Sequence, residues 1–313
     1  MDGVDPMSQS KSTSHFTLRS LRALRAKAMR RPEDFAATVP VTTLEGLLSA
    51  KIKSGDPYSS RRTKKPSRKV ALQLEYDMET ALYIALASNE LSRYAEALRC
   101  CWALLGIAKG DWVGIFDYGT SPVSYLASST FTPYLQRGAA DILGCLPICN
   151  DGAANLSRRA VDIVKFVRPR VLFLRTDCLH PFTTEINRGS VPLYSYVDTL
   201  VAVENEGVPS RAERDTYQAN LGVPIYRLMR ADAAMFLAPE CRRCSLFHVW
   251  SYLYHVETPE QRADQETGRQ ASRLVITNWF ATSRPTIRYV SQINAVLQPA
   301  GCPAEARDLT ISA

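Results

Sequence analysis

The chain has 313 residues, a mass of 34.9 kDa and a composition of 46% hydrophobic and 22% charged residues. This composition is typical of a globular protein with a sizeable core, and it excludes a disordered, collagen-like or disulfide-stapled chain. No apolar run approaches the length of a membrane-spanning helix, so the sequence predicts no integral membrane protein.

The net charge of +7 is concentrated in the first 70 residues, which hold 15 Lys and Arg against 6 Asp and Glu. Residues 15–31 predict a basic amphipathic helix, and residues 61–69 form a basic run without helical pattern. Because this run has no interleaved aromatic residue for base stacking, we favour a solvated loop over a nucleic-acid or membrane site. Early acidic residues and the lack of an apolar signal segment favour a cytoplasmic protein without a processed leader.

From residue 90 onward, the hydrophobic pattern predicts alternating helices and strands. Helices are predicted at 90–105, 124–137, 155–167 and 211–221, and strands at 111–118, 141–148, 170–175, 200–204 and 224–228. Such alternation is typical of parallel βαβ units in an α/β sheet that is covered on both faces. Later strands are predicted at 248–257, 273–279 and 286–290. We therefore expect a basic helix and loop (1–69), an α/β body (70–235) and a β-rich segment (236–313).

The ends of the predicted parallel strands carry polar residues, at 117–121, 175–177, 204–207 and 229–232. In open α/β sheets, ligands bind beyond the carboxyl ends of the strands at a topological switch point, so we expect a pocket there. Glu206 and Asp232 are candidate catalytic groups, because two carboxyls in different surroundings can divide the acid and base roles. Solvated or capping roles for these two residues remain equally open.

Other chemistries find little support in the sequence. No nucleophile elbow, Walker loop or dinucleotide-binding fingerprint is present, which disfavours a serine hydrolase, a P-loop enzyme and a Rossmann enzyme. His255 lies in a strand-like apolar run, where we expect a packed histidine rather than a general base.

Several short stretches, in the same order, resemble the phenylacetate-coenzyme A ligase family of the adenylate-forming superfamily. They lie at 39–47, 105–113, 138–144, 206–211, 221–226, 238–241, 274–278 and 284–289. The resemblance implies the large N-terminal domain of enzymes that activate a carboxylic acid with ATP and Mg²⁺ and pass the acyl-adenylate to a thiol. It also implies a substrate-binding region that includes Tyr118, Gly119, Arg288 and Tyr289.

The sequence departs from the family at its phosphate-binding loop. The family has a turn rich in Ser, Thr and Gly, whereas residues 75–80 contain no glycine and carry Glu75, Asp77 and Glu79. A phosphate cradle needs converging backbone N–H groups, and a carboxylate about 4 Å from a phosphate charge is repulsive by about 4 kcal/mol at an effective dielectric of about 20. We therefore expect this turn to reject a triphosphate.

Two further nucleotide motifs are altered. In the aromatic-Gly-x-x-Glu motif, Met229 and Arg230 replace the ring and the glycine, while Asp232 keeps a carboxylate. Ile293 stands where the family has the Asp that holds the ribose. The sequence also ends before the hinge and the small C-terminal domain that the resemblance implies. We expect that ATP and Mg²⁺ are not used in the family manner, and a CoA thioester remains open as a ligand.

Eight cysteines without a secretion signal predict reduced thiols or metal ligands rather than disulfides. Some members of the family carry zinc on a Cys, a nearby His and a distal Cys-Pro-Cys. This chain keeps Cys241, His248 and Cys302 but has Ala304 at the last position. Cys244 lies three residues after Cys241, in C-x2-C spacing, and would complete a Cys₃His set for a structural zinc ion. Unconnected thiols and a core histidine remain the alternative.

These observations lead to three functional hypotheses for a degenerate aryl- or acyl-CoA-ligase-like protein, of the kind found in specialised metabolism. In the first, it binds an acyl or aryl group, or acts on an already activated thioester without ATP. In the second, it is a non-catalytic partner of a complete ligase or a carrier protein. In the third, it is a residual ATP-dependent ligase that needs a separate C-terminal domain.

Overall fold

The computed structural model describes residues 18–55, 70–75, 81–132, 134–150, 157–207, 210–258, 262–263, 270–283, 285–298, 302 and 309–312. In the predicted phosphate loop, Glu75 ends a strand, whereas Asp77 and Glu79 lie outside the described residues, as does the basic run at 61–69. None of the helices among the described residues is long and apolar enough to cross a bilayer.

Three helices and a hairpin come first: α1 (Leu18–Arg30), α2 (Pro32–Thr38), α3 (Leu44–Ser54), β1 (Val70–Glu75) and β2 (Ala81–Leu86). The predicted basic helix is thus present as α1. Pro32 suits the first turn of α2 because proline lacks the N–H that a helix start leaves unpaired. Thr43 caps α3 by accepting a hydrogen bond from the N–H of Gly46, and Gly55 ends it in the left-handed conformation.

The main sheet contains β3 (Trp112–Phe116), β4 (Leu146–Asn150), β5 (Val171–Arg175), β6 (Thr199–Asn205), β7 (Ile225–Ala231) and β8 (Phe236–Pro239). Their order is β4-β3-β5-β6-β7-β8, and all neighbours are parallel except β7 and β8. The central strands are almost wholly apolar because both faces of a crossover-connected sheet are buried. The predicted parallel βαβ architecture is confirmed.

Helices cover both faces of this sheet: α4 (Ser88–Leu104), α5 (Pro122–Tyr125), α6 (Ala139–Leu143), α7 (Ser157–Val167), α8 (Thr176–Arg188) and α9 (Arg211–Leu221). Successive side chains of a strand point to opposite faces. Phe173 of β5 therefore joins the core beside α4, whereas Leu172 and Leu174 join the cluster beneath α7, α8 and α9.

The second sheet is antiparallel and confirms the predicted β-rich segment. It contains β9 (Phe247–Val249), β10 (Tyr254–Glu257), β11 (Arg262–Ala263), β12 (Gln270–Asn278), β13 (Tyr289–Gln298) and β14 (Leu309–Ser312). The order is β10-β12-β13-β14-β9, with β11 paired to β12. Phe247 and Ile276 of this sheet share one apolar core with α4 and Phe173 of the parallel sheet.

Several predicted segments differ from the structure. The helix predicted at 124–137 is reduced to the four residues of α5, and the segment predicted as a strand at 141–148 begins in α6 before β4 starts. The strand predicted at 248–257 is interrupted by a turn between β9 and β10, and the strand predicted at 286–290 begins later, as β13.

The path between α5 and α6 explains the first two errors. At Gly138, an added Cβ atom would lie only 2.4 Å from the carbonyl oxygen of Ala127, so the chain folds back on itself there. Asp141 holds the turn by accepting hydrogen bonds from the Oγ of Ser128 and from the N–H of Gly138, at 2.8 and 2.7 Å. The contacts of Gly138 with Ala127 and of Asp141 with Ser128 join residues more than ten positions apart, and a helical pattern does not reveal them.

The sequence analysis also missed α8. This helix follows β5 directly, without a loop, and carries Pro181 in its interior. Proline normally signals the end of a helix because it removes a backbone donor and clashes with the preceding turn. The apolar face formed by Leu179, Phe182 and Ile186 is buried against the sheet, and this burial offsets the cost of the proline.

Candidate ligand cavity and cysteine–histidine cluster

A cavity of about 420 Å³ lies at the carboxyl edge of the parallel sheet. Its lining comes from the ends of β3, β5, β6 and β7 and includes Tyr118, Ser121, Arg175, Glu204, Arg230 and Asp232. These are the strand ends at which the sequence predicted a pocket, and they meet because parallel strands end at the same edge. The volume lies within the range of about 300–1,000 Å³ that is typical of small-molecule sites.

Arg230 forms the floor of the cavity through a buried polar network. Its Nη1 lies 3.0 Å from Oδ2 of Asp117, whose side chain is completely buried at the end of β3. The same Nη1 also contacts the Oγ of Ser121, which donates a 2.6 Å hydrogen bond to Asp117. The guanidinium is therefore fixed in place by groups that follow β3, a strand three positions away from β7 in the sheet.

Asp232, one of the two predicted catalytic carboxyls, lines the cavity next to Arg230. Its backbone N–H donates to Oδ1 of Asn205 at 3.0 Å, and its own Oδ1 lies 3.6 Å from Nε of Arg230. Among the described residues, this Oδ1 has no hydrogen-bond partner. Burial raises the pKa of Asp232, although the nearby guanidinium lowers it in part.

The side chains of Tyr118 and Arg175 stack against each other in the lining of the cavity. The guanidinium of Arg175 lies 3.7 Å from the centroid of the Tyr118 ring, a cation–π geometry, and its Nε donates to Asp177 at 2.9 Å. Tyr118 remains 47% exposed, and Gly119 beside it is exposed as well. Arg175 and Glu204 were not singled out by the sequence analysis, although both lie in strand-end segments that it marked.

Glu206, the second predicted catalytic carboxyl, is hydrogen-bonded to the second sheet and does not line the cavity. It accepts hydrogen bonds from Oη of Tyr289 at 2.8 Å and from the N–H of Gln292 at 3.0 Å. Burial raises its pKa, and the hydrogen bonds oppose that shift. Glu206 therefore ties the end of β6 to β13, and it is absent from the cavity lining described above.

Arg288 lies apart from the cavity in the same way. Its Nε donates to Glu257 at 3.0 Å and its Nη1 donates to the carbonyl oxygen of Ala36 at 2.6 Å, so it anchors α2 to the second sheet. Of the four residues that the resemblance assigned to substrate binding, Tyr118 lines the cavity, and Gly119 is its chain neighbour but does not belong to the lining. Arg288 and Tyr289 make structural contacts instead.

A second cluster is formed by Cys241, Cys244, His248 and Cys302, the set that the family resemblance and the C-x2-C spacing predicted. All their potential ligand atoms lie within 4.8 Å of one another, and three of the four residues are buried. The two sulfur atoms of Cys241 and Cys302 are 3.8 Å apart, and Sγ of Cys244 lies 3.4 Å from Nε2 of His248. The turn after β8 supplies the first two thiols, β9 supplies the imidazole, and Cys302 lies between β13 and β14.

These spacings fit a tetrahedral metal ion. With Zn–S bonds of about 2.3 Å and Zn–N bonds of about 2.0 Å, a tetrahedron separates two sulfur atoms by about 3.8 Å and a sulfur from a nitrogen by about 3.5 Å. The observed separations agree with both values. The backbone N–H of Arg243 points at Sγ of Cys241 at 3.4 Å, a contact that stabilises a thiolate.

Comparisons with known proteins bear on the fold. No protein-family profile and no curated protein sequence matches this chain. Among solved structures, 2-hydroxyisobutyryl-CoA ligase in an open conformation, with 2-HIB-AMP and CoA, matches with a TM-score of 0.71 at 16% identity, over 93% of this chain and 68% of the ligase. The same enzyme in its thioesterification state matches with a TM-score of 0.72 at 17% identity, over 94% of this chain and 63% of the ligase.

VinN in complex with L-aspartate is also similar, with a TM-score of 0.52 at 12% identity, over 94% of this chain and 67% of that protein. This chain therefore spans about two thirds of the length of these structures. The likeness shows that it has the fold of the large N-terminal domain of adenylate-forming enzymes. The narrower resemblance to phenylacetate-coenzyme A ligases stays a prediction.

Proposed function

We propose that this protein is a CoA-ligase-like protein that holds an acyl or aryl group, or an already activated thioester, in the cavity at the carboxyl edge of its parallel sheet. In this proposal it does not adenylate acids with ATP in the family manner. The observation that carries the proposal is the position of Arg230.

In the motif that the resemblance implies, Arg230 replaces a glycine beside the nucleotide. Glycine permits a ligand to approach the backbone closely, whereas the Arg230 side chain lies 90% buried beneath the cavity and is paired with Asp117. Moving this guanidinium aside would cost free energy, because it would leave the buried carboxylate of Asp117 without its counter-charge. The space that remains suits an uncharged acyl or aryl group better than an adenylate.

Two measurements test this proposal. We expect no ATP-dependent pyrophosphate exchange with a panel of aryl and acyl acids, and we expect calorimetry to detect binding of acyl- or aryl-CoA thioesters. Tyr118→Ala should weaken thioester binding by about tenfold, since it removes an aromatic side chain from the cavity lining. Tyr194→Ala changes another exposed tyrosine that does not line the cavity, and it should have no effect. ATP-dependent exchange by the chain would refute the proposal, and so would the absence of thioester binding.

The two alternatives predict different results. A residual ligase would show pyrophosphate exchange once a separate C-terminal domain from a complete ligase is added. A non-catalytic partner would bind no thioester but would be retained by an immobilised ligase or carrier protein. Neither alternative accounts for a cavity bounded by fixed charged groups as directly as ligand binding does.

For the cysteine–histidine cluster we propose a structural zinc ion held by Cys241, Cys244, His248 and Cys302. Four protein ligands leave no position for water or substrate, which is typical of structural rather than catalytic zinc. The metal would cross-link the turn after β8 and strand β9 to the segment before β14, and so would contribute directly to folding.

Metal analysis tests the zinc proposal. The purified protein should contain stoichiometric zinc, and Cys241→Ser should lose it together with several degrees of thermal stability. Cys149→Ser, which alters a half-buried thiol outside the cluster, should keep the metal. Zinc-free wild-type protein that melts at the same temperature as zinc-loaded protein would contradict a structural role.

A further inference from the structure

Helix α3 presents two rows of side chains along a shallow groove of about 470 Å³. The apolar row contains Leu44, Leu48 and Ile52, and the polar row contains Glu45, Ser49 and Lys53. Within each row the residues are four positions apart, and such rows are the ridges through which helices pack against one another. This surface of α3 therefore has the form of a helix-packing face.

The apolar row is covered at one end and open at the other. Leu44 and Leu48 are half-buried and pack against the core that the two sheets share, whereas Ile52 is 81% exposed. Single exposed aliphatic side chains are common, but Ile52 continues a stripe of apolar groups, which is typical of a surface that contacts another protein. The open end of the stripe would gain from apolar neighbours that a partner supplies.

The polar row carries one charge of each sign at its two ends. Glu45 lies in the first turn of α3, Lys53 lies in the last turn, and both are exposed. Eight positions separate them, which corresponds to about 12 Å along the helix axis, so they do not pair with each other. Ser49, midway between them, is small and allows a second helix to approach closely. The polar row is therefore complementary to the same row running in the opposite direction.

We infer that this face of α3 binds the same face of a second copy of the chain, with the two helices antiparallel about a two-fold axis beside Ser49. The axis places Glu45 opposite Lys53 of the second copy, and this ion pair forms twice. It also carries Ile52 of the second copy to the level of position 46, midway between Leu44 and Leu48, so the apolar rows interdigitate. Such self-complementarity is what a two-fold interface requires.

Other occupants fit this face less well. Glu45 would be repelled by the phosphates of a nucleic acid or of an anionic membrane, and three aliphatic side chains without an aromatic anchor are few for a membrane-binding helix. A contact centred on one pair of helices buries less than the standard interface of about 1,600 Å², so we expect a reversible dimer with a micromolar dissociation constant.

Sedimentation velocity over a range of protein concentrations tests the apolar row. The wild-type chain should pass from monomer to dimer as its concentration rises. Ile52→Ser removes two apolar contacts from each dimer and should weaken dimerisation at least tenfold. Met29→Ser is the matched control, because Met29 is 70% exposed and lies on α1 rather than in the groove, and it should dimerise as the wild type does.

Charge reversal tests the antiparallel arrangement. Glu45→Lys and Lys53→Glu each turn two attractive pairs into two repulsive ones, so each variant alone should dimerise about tenfold more weakly. An equal mixture of the two variants should recover the wild-type affinity, since every facing pair is then attractive again. Glu33→Lys and Lys165→Glu make the same changes in the first turn of α2 and the last turn of α7, and they should have no effect.

The outcomes decide the inference in both directions. A dimer that is weakened by Ile52→Ser and by each charge reversal, and that is recovered in the mixture, would support it. A chain that stays monomeric at all concentrations would overturn it, and so would a dimer that keeps its affinity in Ile52→Ser. Failure of the mixture to recover dimerisation would overturn the antiparallel pairing of Glu45 with Lys53.

Discussion

At the scale of single residues, Arg230 lies between two buried carboxylates, Asp117 at 3.0 Å and Asp232 at 3.6 Å. Removing charges from water costs several kcal/mol per ion, and pairing recovers this cost only while every partner is present. The ion pair between Arg230 and Asp117 therefore helps to set the shape of the cavity, because it joins the end of β7 to the end of β3.

Replacing this guanidinium should destabilise the protein strongly. Arg230→Met leaves Asp117 buried without its cation, and we expect the free energy of unfolding in urea to fall by about 3–5 kcal/mol. Arg188→Met is the control, since Arg188 is 63% exposed and its pair with Glu185 should contribute less than about 1 kcal/mol. Similar losses in both variants would contradict the role assigned to the buried pair.

His255 gives a prediction about pH. It packs edge-on against Phe35, with ring centroids 5.4 Å apart, and it also contacts Trp279, while its Nε2 lies 3.9 Å from Glu257. Burial lowers the pKa of His255 below its ordinary value of about 6.5, and the positive charge of Arg288 lowers it further. The folded protein therefore keeps this imidazole neutral under conditions in which the unfolded chain takes up a proton.

The sign of the pH effect follows from that difference. Above about pH 6.5 the imidazole is neutral in both states, and as the pH falls through 6.5 toward the lowered pKa, its protonation favours the unfolded chain. We expect the free energy of unfolding to decrease more between about pH 8 and pH 5.5 in the wild type than in His255→Phe. Parallel pH profiles for the two proteins would contradict this interpretation.

At the scale of elements, the strands of the parallel sheet are well predicted because an apolar run flanked by turn residues is a local signal. The segment between β3 and β4 is poorly predicted, because its path depends on the close approach of Gly138 to Ala127. Strand β14 also depends on a distant partner, because it pairs with β9 as well as with β13, the strand before it in the chain.

Adding a methyl group at Gly138 should test how closely the chain approaches Ala127 in the turn before α6. In Gly138→Ala, the new Cβ would lie within about 2.5 Å of backbone atoms of Ala127 and Ser128, so the backbone must shift, and we expect a loss of more than about 2 kcal/mol in unfolding free energy. In Gly46→Ala, within the exposed first turn of α3, the new Cβ would lie 3.2 Å from the side chain of Thr43 rather than from backbone, so we expect a much smaller loss. Equal effects of the two substitutions would argue against the close approach.

At the scale of the whole molecule, the two sheets share one apolar core and are joined by polar links at its edge. Glu206, at the end of β6, accepts hydrogen bonds from Tyr289 and Gln292 of β13. Arg288 extends the connection to α2 through the carbonyl oxygen of Ala36. These contacts suggest that the N-terminal helices and both sheets stabilise one another.

The link between the sheets can be tested directly. Tyr289→Phe removes the hydroxyl that donates to Glu206, and we expect a loss of about 2 kcal/mol in the free energy of unfolding with faster hydrogen exchange in β13. Tyr194→Phe, at a tyrosine that is 67% exposed, should change neither quantity. In a protein that already carries Glu206→Gln, Tyr289→Phe should lower the free energy of unfolding by less than it does in the wild type. An equal loss in both proteins would contradict a direct interaction between the two side chains.

The sequence by itself determined the α/β class, the parallel strands, the β-rich final segment and the edge of the sheet where the cavity lies. These features follow from short-range apolar patterns and from the rule that parallel strands end at a common edge. The resemblance to phenylacetate-coenzyme A ligases predicted Cys241, His248 and Cys302 as metal ligands, and the C-x2-C spacing added Cys244; a bound metal stays a prediction.

Only the tertiary structure decided which polar residues share a site. Glu206 and Asp232 both follow the end of a parallel strand, yet Glu206 is hydrogen-bonded to Tyr289 whereas Asp232 lines the cavity. Cys302 comes within 3.8 Å of Cys241 although the two are 61 residues apart. The physical reason is that ion pairs, hydrogen bonds and packing act over a few ångströms in space, and chain topology alone sets which distant residues meet within that range.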